Sequence, residues 1–492
     1  MIELSSPATA KKLSQLAKEN KVRRLYQGVY TPNLVDPKDE IVIKNWKTIV
    51  PYLVPRGILS FRTAFEIKPI PYQEQHIVFI TSSYGKTISL PGLIIKIIKG
   101  DHESYLEPVL PNLNRSNPAR MLLENLAPVR GLNKEVKTIG VKGVEHYLAK
   151  ELRLRSEKAL NQIRDEAKDV AKDLGLIEEY KKLNAIISAL LTSHADDALV
   201  TPYAKAVAKK EPYDPMRMQL FENLSIYLNK CQFKERSYQF QSASFRNLSF
   251  FESYFSNYIE GTEFVIDEVE EIVFKGKEIN NRHADSHDVL SNFKLTNDFT
   301  EMCKTPKTAN ELLEILKSRH VYTMKERPDK RPGEFKIKPN KAGSSYFVEP
   351  QDVIGTLSQA FEIYQILKPG MQRALFMHFM ISEVHPFDDG NGRLSRLMMN
   401  AELVPENLIK IIIPIVHRDN YLNGLRRATR DQEFDLYCKV LDQAQAYTES
   451  VPWINYGLAR EKIEHDDADK SPDEGVATFN RELRKLTFSD MA

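Results

Sequence analysis

The sequence predicts a mostly α-helical protein: an all-helical domain with one β-hairpin, preceded by an α+β, winged-helix-like N-terminal region. From about Pro118, apolar residues recur three and four positions apart, the spacing of amphipathic helices. Residues 335–347 alternate apolar and polar positions around a turn, which predicts the hairpin. Before Pro118, apolar runs at residues 77–80 and 88–98 are typical of strands.

The composition is that of a globular protein with separate electrostatic parts. The 492 residues are 42% hydrophobic and 28% charged, which is enough chain for about two to four domains. A net charge of +2 argues against a wholly basic nucleic-acid binder. However, residues 1–100 hold 15 Lys and Arg against 7 Asp and Glu (+8), so the remaining 392 residues, with 54 against 60, carry −6. The basic N-terminal end therefore forms a separate electrostatic unit.

Cysteine usage and apolar segments indicate the compartment. Cys231, Cys303 and Cys438 are far apart with no Cys-x-x-Cys pair, which excludes a disulfide scaffold and a thiolate zinc site. The N-terminus lacks the pattern of a signal peptide, and no apolar stretch reaches the roughly 20 residues of a membrane span. We expect a cytoplasmic protein without a membrane partner.

Four regions are expected along the chain. Residues 1–110 are predicted to form the winged-helix-like regulatory region, 111–210 a helical region, 211–455 the main helical domain, and 456–492 a charged C-terminal tail. Two prolines between Lys209 and Pro215 mark the main boundary. Within the tail, residues 461–475 are predicted to be mobile and 479–486 to form a short amphipathic helix.

The segment 385–396 carries the chemistry: His-Pro-Phe-Asp-Asp-Gly-Asn-Gly-Arg-Leu-Ser-Arg. An apolar helix is expected to end at His385, because the following proline blocks its continuation. Gly390 and Gly392 flank Asn391, a good residue for the N-cap of a new helix. Backbone N–H groups and the helix dipole at such a turn suit a phosphate group.

Charged side chains in this segment complete a phosphate site. Arg393 and Arg396 lie three positions apart, on one face of the predicted helix, and can each present a guanidinium fork to phosphate oxygens. Asp389 offers a hard oxygen ligand for Mg²⁺, and His385 offers a base that titrates near neutrality. Together these residues predict a nucleotide polyphosphate site with a base beside it.

The segment resembles the signature of the Fic family, His-x-Phe-x-Asp/Glu-Gly-Asn-Gly-Arg-x-x-Arg, without departure at a defining position. The resemblance implies that His385 deprotonates a hydroxyl of a target Ser, Thr or Tyr, which attacks the α-phosphate of ATP. AMP is then joined to the protein and pyrophosphate is released. The other implied roles are Asp389 as Mg²⁺ ligand, Gly390, Asn391 and Gly392 as anion hole, Arg393 toward the β-phosphate and Arg396 toward the γ-phosphate.

Three neighbouring features resemble further parts of the family pattern. The hairpin at 335–347 resembles a flap that docks the target by strand addition, with an ordinary surface ribbon as the alternative. Lys336 stands where many relatives have arginine, so a bidentate contact is lost there. Tyr421 is expected either to stack on the adenine or to be a buried structural tyrosine. His378 matches a recurrent family histidine, and we assign it no chemistry.

Residues 256–261, Ser-Asn-Tyr-Ile-Glu-Gly, resemble the family's inhibitory motif, Ser/Thr-x-x-x-Glu-Gly/Asn. Ser256 and Glu260 are four positions apart, on one face of a helix that Gly261 would end. A Glu260 carboxylate paired with Arg396 would occupy the fork that the γ-phosphate needs. In some relatives the same glutamate supports removal of AMP, and the sequence leaves this open.

The basic N-terminal end predicts a small winged helix. Two short helical segments are expected before residues 23–30, which end in a Gly-Val-Tyr strand. The region resembles the N-terminal half of antitoxins and transcriptional regulators linked to abortive phage infection. DNA is the candidate partner of residues 1–60, through Lys11, Lys12, Arg23 and Arg24. The alternative is a protein-interaction domain with a solvated basic face.

The hypothesis is a protein adenylyltransferase with ATP as substrate, Mg²⁺ as cofactor and another protein, or itself, as target, autoinhibited by Glu260. The rival is a DNA-binding regulator in which the Fic fold only senses nucleotide. A third alternative keeps the fold but moves another group or removes AMP. The resemblance also makes a homodimer an expectation.

Overall fold

The computed structural model describes residues 2–129, 134–192, 198–343, 345–486 and 488. The chain forms two compact units, Met1–Lys210 and Glu211–Ala492. The predicted fold class is confirmed, because helices dominate and a β-sheet region precedes the helical unit. In the part of the chain that the structure describes, no helix combines the length and the apolar character that crossing a bilayer requires.

The strands of the first unit form two sheets. They are β1 (Glu3–Leu4), β2 (Arg23–Tyr26), β3 (Val29–Thr31), β4 (Ile58–Leu59), β5 (Ile70–Tyr72), β6 (Gln75–Ser82), β7 (Lys86–Leu90), β8 (Leu93–Lys99), β9 (Leu106–Leu110) and β10 (Leu113–Ser116). The first sheet has the order β1-β3-β2. The second has seven strands in the order β7-β8-β6-β4-β10-β9, with β5 also paired to β6. β4 runs parallel to β10, and β6 runs parallel to β8.

Helices pack with these sheets. They are α1 (Ala10–Lys18), α2 (Lys38–Lys44), α3 (Trp46–Leu53), α4 (Phe61–Glu66), α5 (Pro118–Leu126), α6 (Lys134–Lys137), α7 (Gly140–Arg155), α8 (Glu157–Leu174), α9 (Ile177–Leu191) and α10 (Pro202–Ala208). One detail of the prediction was wrong: only α1 lies between residues 2 and 22, and strand β1 replaces the other expected helical segment. β1 pairs with β3 and closes the small sheet, which explains the extended backbone at residues 3 and 4.

The second unit is helical apart from a short hairpin. Its helices are α11 (Pro215–Leu228), α12 (Ser242–Ile259), α13 (Ile266–Lys275), α14 (His283–Asn297), α15 (Phe299–Met302), α16 (Ala309–Met324), α17 (Val353–Gln365), α18 (Met371–Val384), α19 (Asn391–Ala401), α20 (Arg418–Asp431), α21 (Asp435–Ser450), α22 (Tyr456–His465) and α23 (Pro472–Leu483). The hairpin pairs β11 (Lys341–Ala342) with β12 (Ser345–Tyr346).

Helix α18 lies at the centre of this unit. Most of its side chains are buried, as expected of a helix surrounded by other helices. It packs against α11, α17 and α19. Because α18 is held in the core and ends at Val384, it fixes the position of the next residue, His385.

A buried polar network attaches α12 to this core. Glu252 of α12 accepts hydrogen bonds from Lys410 Nζ at 2.7 Å and from Asn400 Nδ2 of α19 at 2.8 Å. Lys410 Nζ also donates to the Thr296 carbonyl at the end of α14, at 2.7 Å. Each of these donors and acceptors has a partner, which offsets the cost of burying the Lys410–Glu252 pair. The position of α12 relative to α19 is thereby fixed.

The hairpin is shorter than the predicted span of residues 335–347. Its two strands cover only 341–342 and 345–346, and Ser344 at its tip lies outside the described residues. Residues 335–337 are not a strand, because Lys336 turns inward and its backbone N donates to the Pro386 carbonyl at 2.9 Å. Pro339 has no N–H to give to a ladder, which also limits the hairpin.

The expectation of a mobile segment at 461–475 was wrong. Helices α22 and α23 occupy most of residues 456–483, and their apolar faces are buried. Phe479 is fully buried, with its ring 4.8 Å from that of Tyr447 and 5.3 Å from that of His417. Several charged residues of this region are exposed, whereas Asp466 is buried and accepts a hydrogen bond from Lys462 Nζ at 2.8 Å. The final residues of the region, 489–492, lie outside the described part.

Truncation of Phe479 tests this packing. We expect Phe479→Ala to lower the free energy of unfolding by about 3–5 kcal/mol, the usual cost of removing a buried aromatic ring. Val476→Ala on the same helix, at a residue that is 36% exposed, should cost about 0.5 kcal/mol or less. Urea unfolding of the full chain measures both. Equal effects of the two substitutions would contradict the packed arrangement.

Candidate active site

His385 directly follows the last turn of α18 and adopts a left-handed backbone with φ of +51°. Its Nδ1 lies 3.3 Å from the Ser382 carbonyl, a contact that suits a hydrogen on Nδ1 and leaves Nε2 to accept a proton. Burial lowers the pKa of His385 to about 4, and the nearby Lys336 ammonium acts in the same direction. The imidazole is therefore neutral at pH 7, the form that a base requires.

The ring of Phe347 covers one face of this histidine. The two rings are parallel within 6°, and their centroids are 3.8 Å apart. Phe347 directly follows β12, so the hairpin and His385 are held together by this stacking. It leaves the edge of the imidazole, where Nε2 lies, as the reactive side.

The loop from Pro386 to Gly392 is fixed from within. Asn391 does not cap α19 as the sequence predicts; its side chain instead bonds the N–H and the carbonyl of Phe387, each at 2.9 Å, and Gly390 (φ +74°) takes the N-cap position. Phe387 stacks on His320 at 3.8 Å, and His320 Nε2 donates to the Asp389 carbonyl at 3.0 Å. Asn391 therefore shapes the loop from inside the core.

Asp389 has a carboxylate available to a ligand. It is half-buried, and its Oδ1 accepts a hydrogen bond from Gly390 N at 2.7 Å. Across the described residues, no cluster of three or more His, Cys, Asp or Glu side chains is arranged to hold a metal ion. A single carboxylate beside a phosphate site fits Mg²⁺, which is commonly bound by one or two carboxylates together with substrate phosphates and water.

Arg396 projects from the second turn of α19 toward the end of α12. Its Nη2 donates to Glu260 Oε1 at 2.8 Å and to the Ser256 carbonyl at 2.9 Å, and its Nε donates to Ser256 Oγ at 3.0 Å. Arg396 is 4% exposed. Although burial disfavours its charge, the Glu260 carboxylate holds the pKa of Arg396 above its usual value. Every one of these partners belongs to the segment that resembles an inhibitory motif.

Glu260 caps the C-terminus of α12, and Gly261 (φ +90°) ends the helix as the sequence predicts. The carboxylate lies against Gly392, so closely that a Cβ at residue 392 would collide with it. Arg418 Nε donates to the Ile259 carbonyl at 3.3 Å and helps to fix this helix end. Glu260 thus covers both the glycine turn and Arg396.

Arg393 occupies a different environment from Arg396. Its Nη1 pairs with Asp288 Oδ2 of α14 at 2.5 Å, and the side chain is 5% exposed. Asp288 also accepts from Arg327 Nε at 2.8 Å. Sequence reasoning missed Asp288 and Arg327, because nothing local in the chain indicates that α14 packs behind the signature. In this structure Arg393 is paired with α14 and does not line the cavity that Arg396 lines.

Tyr421 takes part in a buried hydrogen-bond chain. Tyr421 OH lies 3.4 Å from Arg396 Nη1 and 2.9 Å from His378 Nε2. His378 Nδ1 contacts Tyr437 OH at 2.9 Å, and Tyr437 OH donates to the Leu375 carbonyl at 2.7 Å. This order makes His378 a neutral core histidine, in agreement with burial lowering its pKa to about 3. Tyr421 is 3% exposed, and these hydrogen bonds hold it at the edge of the cavity.

Lys336, the residue that differs from the arginine of the resembled pattern, holds the loop that follows α18. Its Nζ donates to Asn340 Oδ1 at 2.7 Å and to the Val384 carbonyl at 3.1 Å. Asn340 Nδ2 in turn bonds the carbonyls of His385 (3.3 Å) and Phe387 (3.0 Å). Burial lowers the pKa of Lys336 to about 8. The lysine ammonium thus donates to one side-chain oxygen and one backbone carbonyl.

One cavity of about 350 Å³ joins these elements. It brings together five sequence-predicted residues: His385, Gly392, Arg396, Tyr421 and Glu260. Asp389, Gly390, Asn391, Arg393 and Ser256 are not in its wall. The remaining lining residues are Arg217, Phe347, Ser382, Glu383, Leu422, Leu425, Arg426, Thr429 and Arg430.

Arg217 and Glu383 are polar wall residues that sequence reasoning missed. Glu383 carries a signal in hindsight, since it is a lone acid at the end of an otherwise apolar helix, two residues before His385. Arg217 carries none, because it lies far away in the sequence, in the first turn of α11.

Comparison with known proteins identifies the family of this segment. A model of the Fic/DOC family matches residues 310–403. Protein adenylyltransferase Fic of Drosophila erecta is 27% identical over 181 residues, 36% of each chain. The protein of the same name from Drosophila melanogaster is 27% identical over 184 residues, also 36% of each chain. The chain therefore spans about a third of the length of these curated relatives.

Solved structures add a distant similarity. A structure of Fic-1 (aa134–508) from C. elegans is 18% identical, with a TM-score of 0.36, over 65% of this chain and 92% of that chain. The match of the family model at 310–403 contains the whole signature at 385–396, with each defining residue in place. Residues 310–403 of this chain therefore match the Fic/DOC family.

Proposed function

We propose that the protein transfers AMP from ATP to a hydroxyl side chain of a target protein, and that Glu260 restrains this reaction. The observation that carries the proposal is the shared cavity of His385, Gly392 and Arg396, in which a neutral imidazole lies beside a phosphate-binding turn. The name of the curated relatives, protein adenylyltransferase, supports the same reaction class.

In the proposed reaction, His385 Nε2 accepts the proton of the target hydroxyl. The hydroxyl oxygen forms a bond to the α-phosphorus of ATP, and the bond to the leaving pyrophosphate breaks. A triphosphate beside His385 raises the pKa of the imidazole from its low value in the free site, because the phosphate charge stabilises imidazolium. Catalysis of this kind depends on positioning and on charge stabilisation at phosphorus.

Asp389 is the residue that would hold Mg²⁺. Its half-buried carboxylate lies at the phosphate turn, which fits an ion shared between one carboxylate and the nucleotide. Mg²⁺ would neutralise charge on the phosphates and on the leaving pyrophosphate. Gly392 N and the N-terminus of α19 would add backbone donors to the same oxygens.

The proposed restraint follows from charge and space. Glu260 uses the Arg396 guanidinium that a γ-phosphate needs, and its carboxylate lies against Gly392, where phosphate oxygens would sit. An anionic nucleotide therefore meets both a repelling carboxylate and an occupied arginine. Movement of the α12 end, or loss of the Glu260 charge, releases Arg396.

Self-modification measures the proposed activity. With α-³²P-ATP and Mg²⁺, Glu260→Gly should incorporate at least about tenfold more label than the wild type, since each 1.4 kcal/mol of relieved competition is a factor of ten. Adding His385→Ala should reduce incorporation at least about 100-fold by removing the base. Intact mass should show addition of AMP; a different mass would indicate another transferred group.

The matched control is Glu263→Gly, which removes an exposed carboxylate three residues further on. It should incorporate as little label as the wild type. Equal incorporation by wild type and Glu260→Gly would reject the restraint. Loss of label from modified protein, dependent on Glu260, would assign AMP removal to that residue.

We propose DNA binding as a second function, carried by the first unit. Helix α1 exposes Lys11, Lys12 and Lys18, and the adjacent β2 exposes Arg24. Arg23, in contrast, is half-buried, and its guanidinium donates to the carbonyls of Asn33 and Asp36. The phosphate contacts are therefore assigned to the lysines of α1 and to Arg24.

Fluorescence anisotropy with a labelled 25-base-pair duplex tests this second function. Lys11→Glu/Lys12→Glu should weaken binding by the full chain at least about tenfold, because two phosphate contacts become repulsive. Lys181→Glu/Lys182→Glu, a matched exposed pair on α9, should bind like the wild type. Equal binding by both double variants, or no binding by the wild type, would reject the DNA site.

A further inference from the structure

The side chain of Arg217 connects the hairpin to the end of α18. Its Nη2 donates to the Tyr346 carbonyl of β12 at 2.7 Å, and its Nη1 lies 3.1 Å from Glu383 Oε2. Because Arg217 belongs to the first turn of α11, three separate segments of the chain meet at one guanidinium. Both charged side chains are largely buried, which strengthens their attraction. The proposed phosphate chemistry gives neither side chain a task.

Glu383 is a fixed anchor for this contact. It lies near the end of the central helix α18, and its Oε1 accepts a hydrogen bond from Thr429 Oγ1 of α20 at 2.5 Å. Burial raises the pKa of the Glu383 carboxyl, and the Arg217 charge counteracts this rise. The carboxylate is thus held by one helix on each side. Of the segments that Arg217 joins, the hairpin is the one that lies outside this helical packing.

The register of the hairpin makes the Tyr346 carbonyl available to Arg217. Tyr346 lies opposite Lys341 in the antiparallel pair. The ladder hydrogen bond is made one residue further on, from Phe347 N to the Asn340 carbonyl at 3.3 Å. In this pattern the backbone groups of the Lys341–Tyr346 pair point away from the ladder. An outward carbonyl on an edge strand needs a donor from elsewhere, and Arg217 supplies it.

The residue after this carbonyl is Phe347, the ring that covers His385. The two rings are parallel within 6°, and their centroids are 3.8 Å apart. Asn340 anchors the beginning of the hairpin, because its Nδ2 donates to the His385 carbonyl at 3.3 Å. Arg217 anchors the returning strand. The hairpin is therefore attached on both sides, and the second attachment lies directly beside the stacked ring.

We propose that Arg217 is a positioning residue, which fixes the hairpin over His385 by linking the Tyr346 carbonyl to Glu383. The inference rests on the proposed function for the role of His385 as the base. With the Phe347 ring in place, the imidazole keeps one orientation and its Nε2 edge faces the reacting hydroxyl. Arg217 thus acts through the orientation of the base.

Hydrogen exchange of the full chain tests this attachment without turnover. Arg217→Met removes the guanidinium and keeps an apolar stem of similar length. We expect the Phe347 amide to exchange at least about tenfold faster in this variant, because a lost hydrogen bond from a charged donor favours local opening of the hairpin. Amides inside α18, such as those of Phe376 and Phe379, should exchange as in the wild type.

Two further variants accompany this measurement. Glu383→Gln keeps the size of the anchor but removes its charge, so it should speed exchange of the Phe347 amide in the same direction, by at least about threefold. Arg427→Met, the same substitution at an exposed arginine of α20, should leave that exchange unchanged. Unchanged exchange in Arg217→Met would overturn the proposal. Equally faster exchange in α18 would assign Arg217 a general structural role and overturn it as well.

A spectroscopic signature reports the stacking itself. In protein labelled at the histidine rings, the Phe347 ring current shields the ring protons of His385, whose signals are assigned with His385→Ala. Arg217→Met should move these signals downfield, toward their positions in Phe347→Ala. Signals that stay at the wild-type positions in Arg217→Met would contradict a positioning role at His385.

Transfer of label separates this inference from the proposed function. In Glu260→Gly protein, the addition of Arg217→Met should lower AMP incorporation at least about tenfold, whereas inorganic triphosphate should bind as tightly as before. Equal incorporation with and without Arg217 would overturn the positioning role and leave the transfer reaction standing. If Glu260→Gly protein transfers no AMP but the His385 signals depend on Arg217, the attachment of the hairpin stands and the transfer reaction falls.

Discussion

The Arg396 guanidinium is the group on which the arrangement of this site depends. It is nearly fully buried, and its donors are taken by the end of α12 and approached by Tyr421 OH. A buried cation must be paired, so the helix end cannot leave without a replacement anion. A nucleotide triphosphate is such an anion. The same buried charge thus explains both why α12 lies where it does and what would displace it.

The rest of the helical unit fixes the positions of the groups around Arg396. Glu252 bonds Asn400 of α19 and Lys410, which attaches the middle of α12 to the core. Asp288 pairs with Arg393, which leaves Arg396 as the signature arginine that lines the cavity. Lys336 and the Phe347 ring fix the other side of His385. A restraint that acts at one guanidinium does not require the remainder of the site to rearrange.

The parts predicted from sequence are those with a local physical cause. The signature at 385–396, the glycine that ends α12 and the pairing of Glu260 with Arg396 all follow from residue type and short spacing. Asp288 and Arg217 could not be placed in the same way, because tertiary packing brings them to the site from distant helices. Asn391 shows a related limit. Asparagine is a good N-cap residue, but here its buried side chain hydrogen-bonds the backbone of Phe387 instead. The charged segment near residue 461 was misjudged because its apolar positions are few but lie on one face.

The central claim is that the Glu260 charge competes with a γ-phosphate for Arg396. Calorimetric titration of ATP and ADP into His385→Ala protein, with and without the additional substitution Glu260→Gln, measures this directly. The account predicts that the neutral, isosteric change raises ATP affinity at least about tenfold and ADP affinity less than about threefold, since only ATP carries the group that needs Arg396. Equal changes for ATP and ADP, or no change for either, would contradict it.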